Sequence, residues 1–201
     1  MVKRLAVGLV VIFGLALQAC SPKNQDECGF VQNVYGERIS WKSDVPIHIQ
    51  IHKNFPEEYV GAVNAAADSW NRNLGKRIIE VTKERYTGPE QAQKDNVNVI
   101  YFYKTWEEDR PTEQARTSVY WIGDLIKEAD IRINGKFNYY WNQNEKSGDV
   151  NIEALLVHEM GHVLGLKHKD TGGSVMATYL ASNTKRNQLA ETDMSSLKCE
   201  Y

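Results

Sequence analysis

Three histidines near the end of the chain, with a glutamate beside the first, have the spacing of a metal-dependent hydrolytic site. From His158 to His168 the chain follows the pattern H-E-x-x-H-x-x-G-x-x-H. On a helix, His158 and His162 project from the same face, one turn apart. Two imidazoles held in this way can bind one zinc ion. Glu159 lies beside the first ligand, at a spacing that lets its carboxylate reach a metal-bound water rather than the metal.

A glycine in the motif predicts how a third ligand joins the first two. Gly165 can adopt the left-handed conformation that ends many helices, and the resulting turn can bring His168 round to the same ion. Three protein ligands leave a fourth position for water, which is typical of catalytic zinc. A packed helix could carry some of these residues without a metal, but five fixed positions match by chance in only about one chain in 10⁵ of this length. We therefore expect one catalytic Zn²⁺, bound by His158, His162 and His168, with Glu159 as general base.

Periodic patterns predict the elements that come before this motif. Residues 46–52 alternate isoleucine with polar residues, so we expect a strand with its isoleucines in the core and with His48 and His52 in solvent. From Pro56 to about Leu74 apolar residues recur at helical spacing, and Gly75 predicts the end of that helix.

Four further strands and two further helices are predicted. The strands are residues 77–82, 97–103, 119–122 and 129–133. Residues 97–103 are apolar on both faces, which suits a strand inside the sheet. The polar segments 84–96 and 104–118 are expected to be loops. Asn151 is the predicted N-cap of the helix with the motif, and Thr192 and Asp193 begin a final helix. The expected fold is α+β, with a twisted mixed sheet of about five strands, a long N-terminal helix, the motif helix and a small C-terminal subdomain ending in a helix.

Length and composition limit the other classes of function. The chain has 201 residues, of which 42% are hydrophobic and 25% charged, which is ordinary for one globular domain with a real core. The formal net charge of −2 gives no sign of a nucleic-acid partner. We expect a single catalytic domain over residues 41–201, acting as a monomer on a protein or peptide substrate.

The N-terminal residues have a different composition. Lys3 and Arg4 precede an apolar run to Leu17, which is too short for a spanning helix but suits a secretory leader. Residues 17–20, Leu-Gln-Ala-Cys, resemble the lipobox of bacterial lipoproteins, so we expect a signal peptide over residues 1–19 and lipid on Cys20. Residues 20–40 would form a lipidated tether and lead-in. Ser21 resembles the sorting pattern for the outer membrane of the bacterial envelope. The alternative is an ordinary leader, with Cys20 an incidental thiol.

At the histidine motif the sequence resembles the metzincin metallopeptidases, and most closely their matrixin-like branch. Ser174-Val175-Met176 is similar to the Met-turn of that group, which implies that Met176 packs beneath the zinc ligands. The resemblance also implies that residues 177–180 form part of the pocket for the residue after the scissile bond. It further implies that the strand at residues 129–133, with Ile131 and Ile133, lines the substrate cleft and pairs with the peptide.

The chain also departs from the matrixin pattern. Lys169 follows the third histidine where matrixins usually carry serine, and only His48 and His52 remain for a second zinc site. Some metzincins place a tyrosine ligand two residues after the methionine. Tyr179 comes three residues after Met176, so we treat it only as a candidate cleft residue.

The remaining cysteines form an even pair. With Cys20 assigned to lipid, Cys28 and Cys199 are expected to form a disulfide in an oxidising compartment. The alternative is that Cys28 is a latency thiolate of the kind found in matrixin zymogens, but residues 26–30 share only a Cys-Gly pair with that switch.

Two functions of different classes follow from these observations. The first is a zinc endopeptidase anchored in the bacterial envelope. The second is a binding or scaffold lipoprotein with little catalytic activity on a metzincin fold. Retention of Glu159 favours the first.

Overall fold

The computed structural model describes residues 25–142 and 145–201. Its α-helices are α1 (Val60–Leu74), α2 (Ile152–Val163) and α3 (Glu191–Leu197), and a 3₁₀ turn (Glu57–Tyr59) precedes α1. Its strands are β1 (Ile47–His52), β2 (Ile79–Tyr86), β3 (Asn98–Tyr103), β4 (Ala115–Ile122), β5 (Leu125–Asn134), β6 (Tyr139–Tyr140) and β7 (Val150–Asn151). None of the helices in these residues is long and apolar enough to cross a membrane.

Five strands form one mixed sheet in the order β2-β1-β3-β5-β4. The four strands from β2 to β5 in this order run parallel, and β4 pairs antiparallel with β5 at the edge. The apolar β3 lies in the centre, as its sequence predicts. With three helices and a five-stranded mixed sheet, the predicted α+β, metzincin-like fold is confirmed.

The two long helices pack on each other and on the sheet. The indole Nε1 of Trp70 in α1 donates a hydrogen bond of 3.0 Å to the carbonyl oxygen of Val157 in α2. Trp70 is fully buried, so this bond satisfies its one polar atom while its ring fills the core. α1 ends at Gly75, which has the left-handed φ of 66° that the sequence predicts for a helix stop.

The prediction that residues 129–133 line the cleft is wrong. β5 is paired on both sides, by β3 and by β4, and Ile131 and Ile133 are 1% and 0% exposed in the core. The sheet edge that borders the cleft belongs to β4 instead. The first half of β4 falls in the segment 104–118, which was expected to be a loop because of its polar and charged residues.

Residues 25–40, which fall in the segment expected to be a lipidated tether and lead-in, fold onto the rest of the described chain. Phe30 and Ile39 are buried in the core, and Phe30 forms an antiparallel bridge with Leu166 just after α2. The predicted disulfide between Cys28 and Cys199 is confirmed, with the two Cα atoms 6.3 Å apart. The segment is thereby fixed to the end of α3. The predicted leader and Cys20 lie outside the described residues.

The expectation that both strand histidines face solvent is half right. His48 is exposed, but His52 is buried. The pairing of β1 with β2 shifts register between Ile49 and Ile51, and the His52 ring packs against Tyr101 and Tyr86 at centroid distances of 5.2 and 6.0 Å. A strict two-residue period cannot predict such a shift.

Candidate active site

α2 positions the first two histidines of the motif. Its N-cap is Asn151, as predicted, whose Oδ1 accepts a hydrogen bond of 2.9 Å from the backbone N–H of Ala154. His158 and His162 follow on one face of this helix, and their ring centroids are 4.8 Å apart. The helix is almost entirely buried, so the two imidazoles rest on a rigid support.

A glycine turn brings the third histidine to the other two. Gly165 has φ 97°, a conformation that residues with a Cβ rarely adopt, and a Cβ there would also overlap the carbonyl oxygen of Ile39. After this turn the chain runs back towards α2, and Nε2 of His168 lies 3.1 Å from Nε2 of His162. Nε2 of His158 lies 3.2 Å from the same atom. The structure therefore places three nitrogen donors around one point.

This donor set fits a zinc ion. Two nitrogens bound tetrahedrally at about 2.1 Å from one ion lie about 3.4 Å apart, close to the separations found here. The other ring nitrogens are already engaged, since Nδ1 of His158 and of His162 each lie 2.8 Å from a backbone carbonyl oxygen, of Val175 and Leu166 respectively. Nδ1 must carry the proton in order to donate to a carbonyl, so Nε2 keeps its lone pair for a metal.

Burial also favours the neutral, metal-binding form of these imidazoles. Burial, together with the neighbouring His162, lowers the pKa of His158 to about 3. The same two causes lower the pKa of His168. Because a metal must compete with protons for Nε2, a depressed pKa keeps these ligands available at neutral pH.

A turn containing Met176 lies directly beneath the histidines. Met176 is buried, and its sulfur packs so closely on Gly161 that a Cβ at this position would overlap it. Residue 161 lies between the first two histidines on α2, so glycine is required there for the turn to approach. This is the position that the resemblance to metzincins implies for Met176.

A buried aspartate holds this turn in place. Asp193 in α3 accepts hydrogen bonds from the hydroxyl of Ser174, from the N–H of Val175 at 3.1 Å and from the N–H of Ala190 at 2.8 Å. Since Val175 also supplies the carbonyl that orients His158, Asp193 supports the site through Val175. The sequence predicts Asp193 only as a helix-start residue, and its role at the site comes from a contact across 19 residues.

Glu159 is buried on the side of α2 that faces the edge strand. Its Oε2 accepts a hydrogen bond of 2.6 Å from the hydroxyl of Thr117 in β4. Burial raises the pKa of Glu159, and the nearby His162 and the Thr117 hydroxyl partly oppose that rise. Sequence reasoning missed Thr117. The available signal was one polar residue in the inward-facing series Ala115, Thr117, Val119.

These groups open into a cleft of about 560 Å³. On one side the cleft is bounded by β4, and on the other by residues 177–180, as the resemblance to metzincins implies. Arg186 holds this second wall by donating to the carbonyl oxygens of Tyr179 and Ala177, each at 3.0 Å. At one end, Gln114 Nε2 bonds across the cleft to the carbonyl oxygen of Leu180 at 3.2 Å. Tyr179 lines the cleft but is largely exposed to solvent.

Comparison with known proteins agrees with this geometry. The family model described as Matrixin (Peptidase_M10) matches residues 53–201, which is well over half of the chain. Metalloendoproteinase 1 of Glycine max is 22% identical over 154 residues, which cover 72% of this chain and 46% of that protein. The chain thus spans less than half the length of this relative. Matrixins are zinc-dependent, and the histidine triad has the donor set that this dependence requires. The chain belongs to the matrixin family.

Proposed function

We propose that this protein is a zinc-dependent endopeptidase, anchored in the bacterial envelope by lipid on Cys20. The observation that carries the catalytic part is the convergence of His158, His162 and His168 Nε2 atoms beside the buried Glu159, inside an open cleft. A zinc ion held by these atoms would acidify a water molecule and polarise the scissile carbonyl.

Glu159 would handle the protons of the reaction. Its Oε2 is held by Thr117, which leaves Oε1 to accept a proton from the attacking water and to pass it to the leaving amine. A pKa raised by burial suits this double role, because a carboxylate that is too acidic would not retain the proton until the amine leaves. The Thr117 hydroxyl restricts the rotation of the carboxyl group, so fewer orientations compete with the productive one.

The substrate would lie in the cleft as an extended peptide. β4 is one of the two edge strands of the five-stranded sheet, and its outer side carries free backbone groups among the described residues. An extended chain can add to such an edge by main-chain hydrogen bonds, which recognise a polypeptide without selecting many side chains. The apolar side chains of Leu155 and Leu180 line the cleft near Glu159 and offer a place for one substrate side chain.

Replacement of the general base tests the catalytic proposal. Glu159→Gln should bind zinc as the wild type does, yet lose cleavage of an unstructured protein such as casein, because an amide cannot accept the proton. Glu84→Gln, on the exposed part of β2, is the matched control and should keep full activity. Casein cleavage by Glu159→Gln at the wild-type rate would contradict the proposal.

Mass spectrometry of the wild type and of a Cys20 variant tests the anchor. The support for it is the Leu-Gln-Ala-Cys sequence ending at Cys20 and the apolar run that precedes it. Cys20→Ser should prevent acylation, which mass spectrometry detects. An acyl chain on Cys20 of the wild type, absent in the variant, is the expected result, and a wild-type chain without lipid would contradict the anchor.

A further inference from the structure

Four exposed apolar side chains lie on two adjacent turns at one end of the molecule. Val34 and Tyr35 are 93% and 64% exposed, and Trp121 and Ile122, at the end of β4, are 46% and 71% exposed. The two turns are joined by a hydrogen bond of 3.2 Å from Nδ2 of Asn33 to the carbonyl oxygen of Gly123. We call these four residues the apolar tip. They are most of the large hydrophobic side chains exposed in the described part of the chain, and such a grouping is typical of a surface that binds a partner.

The N-terminal end of the described chain is fixed beside this tip. The N–H of Gln25 donates to the carbonyl oxygen of Gly36 at 2.9 Å, one residue after Tyr35. The side chain of Gln25 makes a second contact, because its Oε1 accepts a hydrogen bond of 2.9 Å from the N–H of Arg38. These two hydrogen bonds hold residue 25 beside the tip.

The short distance along the chain from Gln25 to Cys20 limits where a lipid could be. Five peptide units span at most about 18 Å when fully extended. An acyl chain on Cys20 would be inserted in a bilayer, so Gln25 and the adjacent tip would lie within about that distance of the lipid headgroups.

The charges around the tip indicate which lipid surface it fits. Glu37 and Asp124 are acidic, and Lys42 is engaged by Asp124 at 3.2 Å. This region is therefore not basic and has no reason to prefer anionic lipids. Tyrosine and tryptophan, in contrast, favour the interface between headgroups and hydrocarbon, where a ring can be buried while its polar atom stays hydrated.

We propose that the apolar tip inserts into the headgroup–hydrocarbon interface of the membrane and acts there as a second attachment point beside the lipid. The inference rests on the proposed lipid anchor at Cys20. The lipid on Cys20 would hold only one point of the chain at the membrane, and a second contact would fix the orientation of the domain relative to the bilayer.

This orientation would decide which end of the cleft faces the membrane. Trp121 belongs to the tip and also lines the cleft, whereas the bond from Gln114 to Leu180 marks the other end. A substrate antiparallel to β4 would place its N-terminal side at Trp121. Substrates would therefore be polypeptides whose segment before the scissile bond lies close to the bilayer.

Quenching of tryptophan fluorescence by brominated lipids tests the insertion. The acylated protein is placed in phosphatidylcholine vesicles with bromine near the headgroup end of the acyl chains, and the signal of Trp121→Phe is subtracted to isolate Trp121. We expect Trp121 to lose most of its fluorescence. The variant Val34→Gln/Tyr35→Gln/Ile122→Thr should restore it, whereas Tyr179→Gln, which replaces an exposed aromatic on the cleft wall opposite β4, should leave the quenching unchanged.

Several results would overturn the proposal. One is Trp121 fluorescence that the brominated lipid does not affect. If Trp121 is unaffected by the lipid yet shielded from acrylamide in water, a protein chain covers the tip instead. Quenching that appears only with phosphatidylglycerol and disappears in salt would assign the contact to charge. A wild-type protein without lipid on Cys20 would also overturn the proposal, because nothing would then hold the tip near the bilayer.

The peptidase activity is measured separately. Cleavage of a short soluble peptide by the tip variant in detergent should equal that of the wild type, because Val34, Tyr35 and Ile122 lie outside the cleft lining. Absence of peptide cleavage by the wild type in detergent would contradict the proposed function. The quenching result would still test separately whether the apolar tip inserts into the membrane.

Discussion

The hydroxyl group of Thr117 in β4 donates a hydrogen bond of 2.6 Å to Oε2 of Glu159 in α2. This contact joins the edge strand, along which a substrate would lie, to the residue proposed as general base. A change in β4 is therefore transmitted directly to Glu159, although the two residues are 42 positions apart in the chain.

Loss of this hydroxyl should slow catalysis without loss of the metal. We expect Thr117→Val to lower kcat about 10–100-fold, which corresponds to the ~1.5–3 kcal/mol of a hydrogen bond to a charged group. KM for a peptide and the zinc content should change little, and Thr117→Ser should restore most of the rate. Steady-state kinetics with zinc analysis of each variant provides the test. Equal kcat values for the valine and wild-type proteins would show that Glu159 does not depend on this contact.

Removal of Asp193 should weaken zinc binding from a distance. Asp193→Ala leaves the hydroxyl of Ser174 and the N–H of Val175 without their acceptor, and Val175 orients His158. We expect the zinc Kd to rise about 10–100-fold, as for other groups that support metal ligands. The free energy of unfolding should fall by about 2–4 kcal/mol. Competition with a chelator and urea unfolding measure the two effects. Asp193→Asn, which keeps one acceptor oxygen, is the control, and its zinc Kd and free energy of unfolding should lie between those of the wild type and the alanine variant. An unchanged Kd in the alanine variant would contradict this role.

The parts of the fold that sequence could predict are those set by local spacing. The site motif lies within 11 consecutive residues, and Asn151 precedes its helix by one position, so helix geometry, together with the Gly165 turn for His168, predicts them. The edge position of β4 is different, because it depends on the order of strands in the sheet, which no local pattern encodes. Asp193 and Thr117 likewise act through contacts between distant segments.

The N-terminal segment was mispredicted for another reason. The segment was assigned from the polar residues that follow Cys20, and these outweighed Phe30 and Ile39, which are buried against the loop after α2. A search for isolated large apolar residues in polar segments would have found both of them.

Stability should decrease as the pH rises through the range in which a buried aspartate ionises. Burial raises the pKa of Asp130 from 3.8 to about 7, although the N–H of Val99 donates to its Oδ1 at 2.9 Å. The folded state therefore holds a proton that the unfolded chain releases at lower pH. Stability from this group is full below about pH 4 and is lost towards pH 7, by up to about 4 kcal/mol.

Comparison with Asp130→Asn isolates this effect. The amide keeps an acceptor for Val99 but does not ionise, so its free energy of unfolding should decline less between pH 4.5 and pH 7.5 than that of the wild type. Urea unfolding at several pH values measures the difference. Parallel pH profiles for the two proteins would mean that Asp130 titrates normally.

Reduction of the disulfide should destabilise the protein more than it impairs the site. The bond joins Cys28 and Cys199 across 171 positions, so its loss should cost roughly 2–4 kcal/mol by releasing the unfolded chain. The same junction keeps an ion pair of 2.7 Å between Arg38 and Glu200. Peptide cleavage should therefore survive reduction in the absence of denaturant. Urea unfolding with and without reductant tests this expectation, and the double variant Cys28→Ser/Cys199→Ser should not respond to reductant. A wild-type midpoint that reductant does not shift would contradict it.

The central claim is that one zinc ion on His158, His162 and His168 makes this chain an endopeptidase. The most direct measurement is mass-spectrometric analysis of a diverse peptide library after incubation with zinc-loaded protein, with the bound zinc quantified in the same sample. We predict one zinc per chain and cleavage at internal peptide bonds, both absent from His162→Ala. One bound zinc per chain together with an intact library would contradict the proposed activity and leave a binding protein on a matrixin fold.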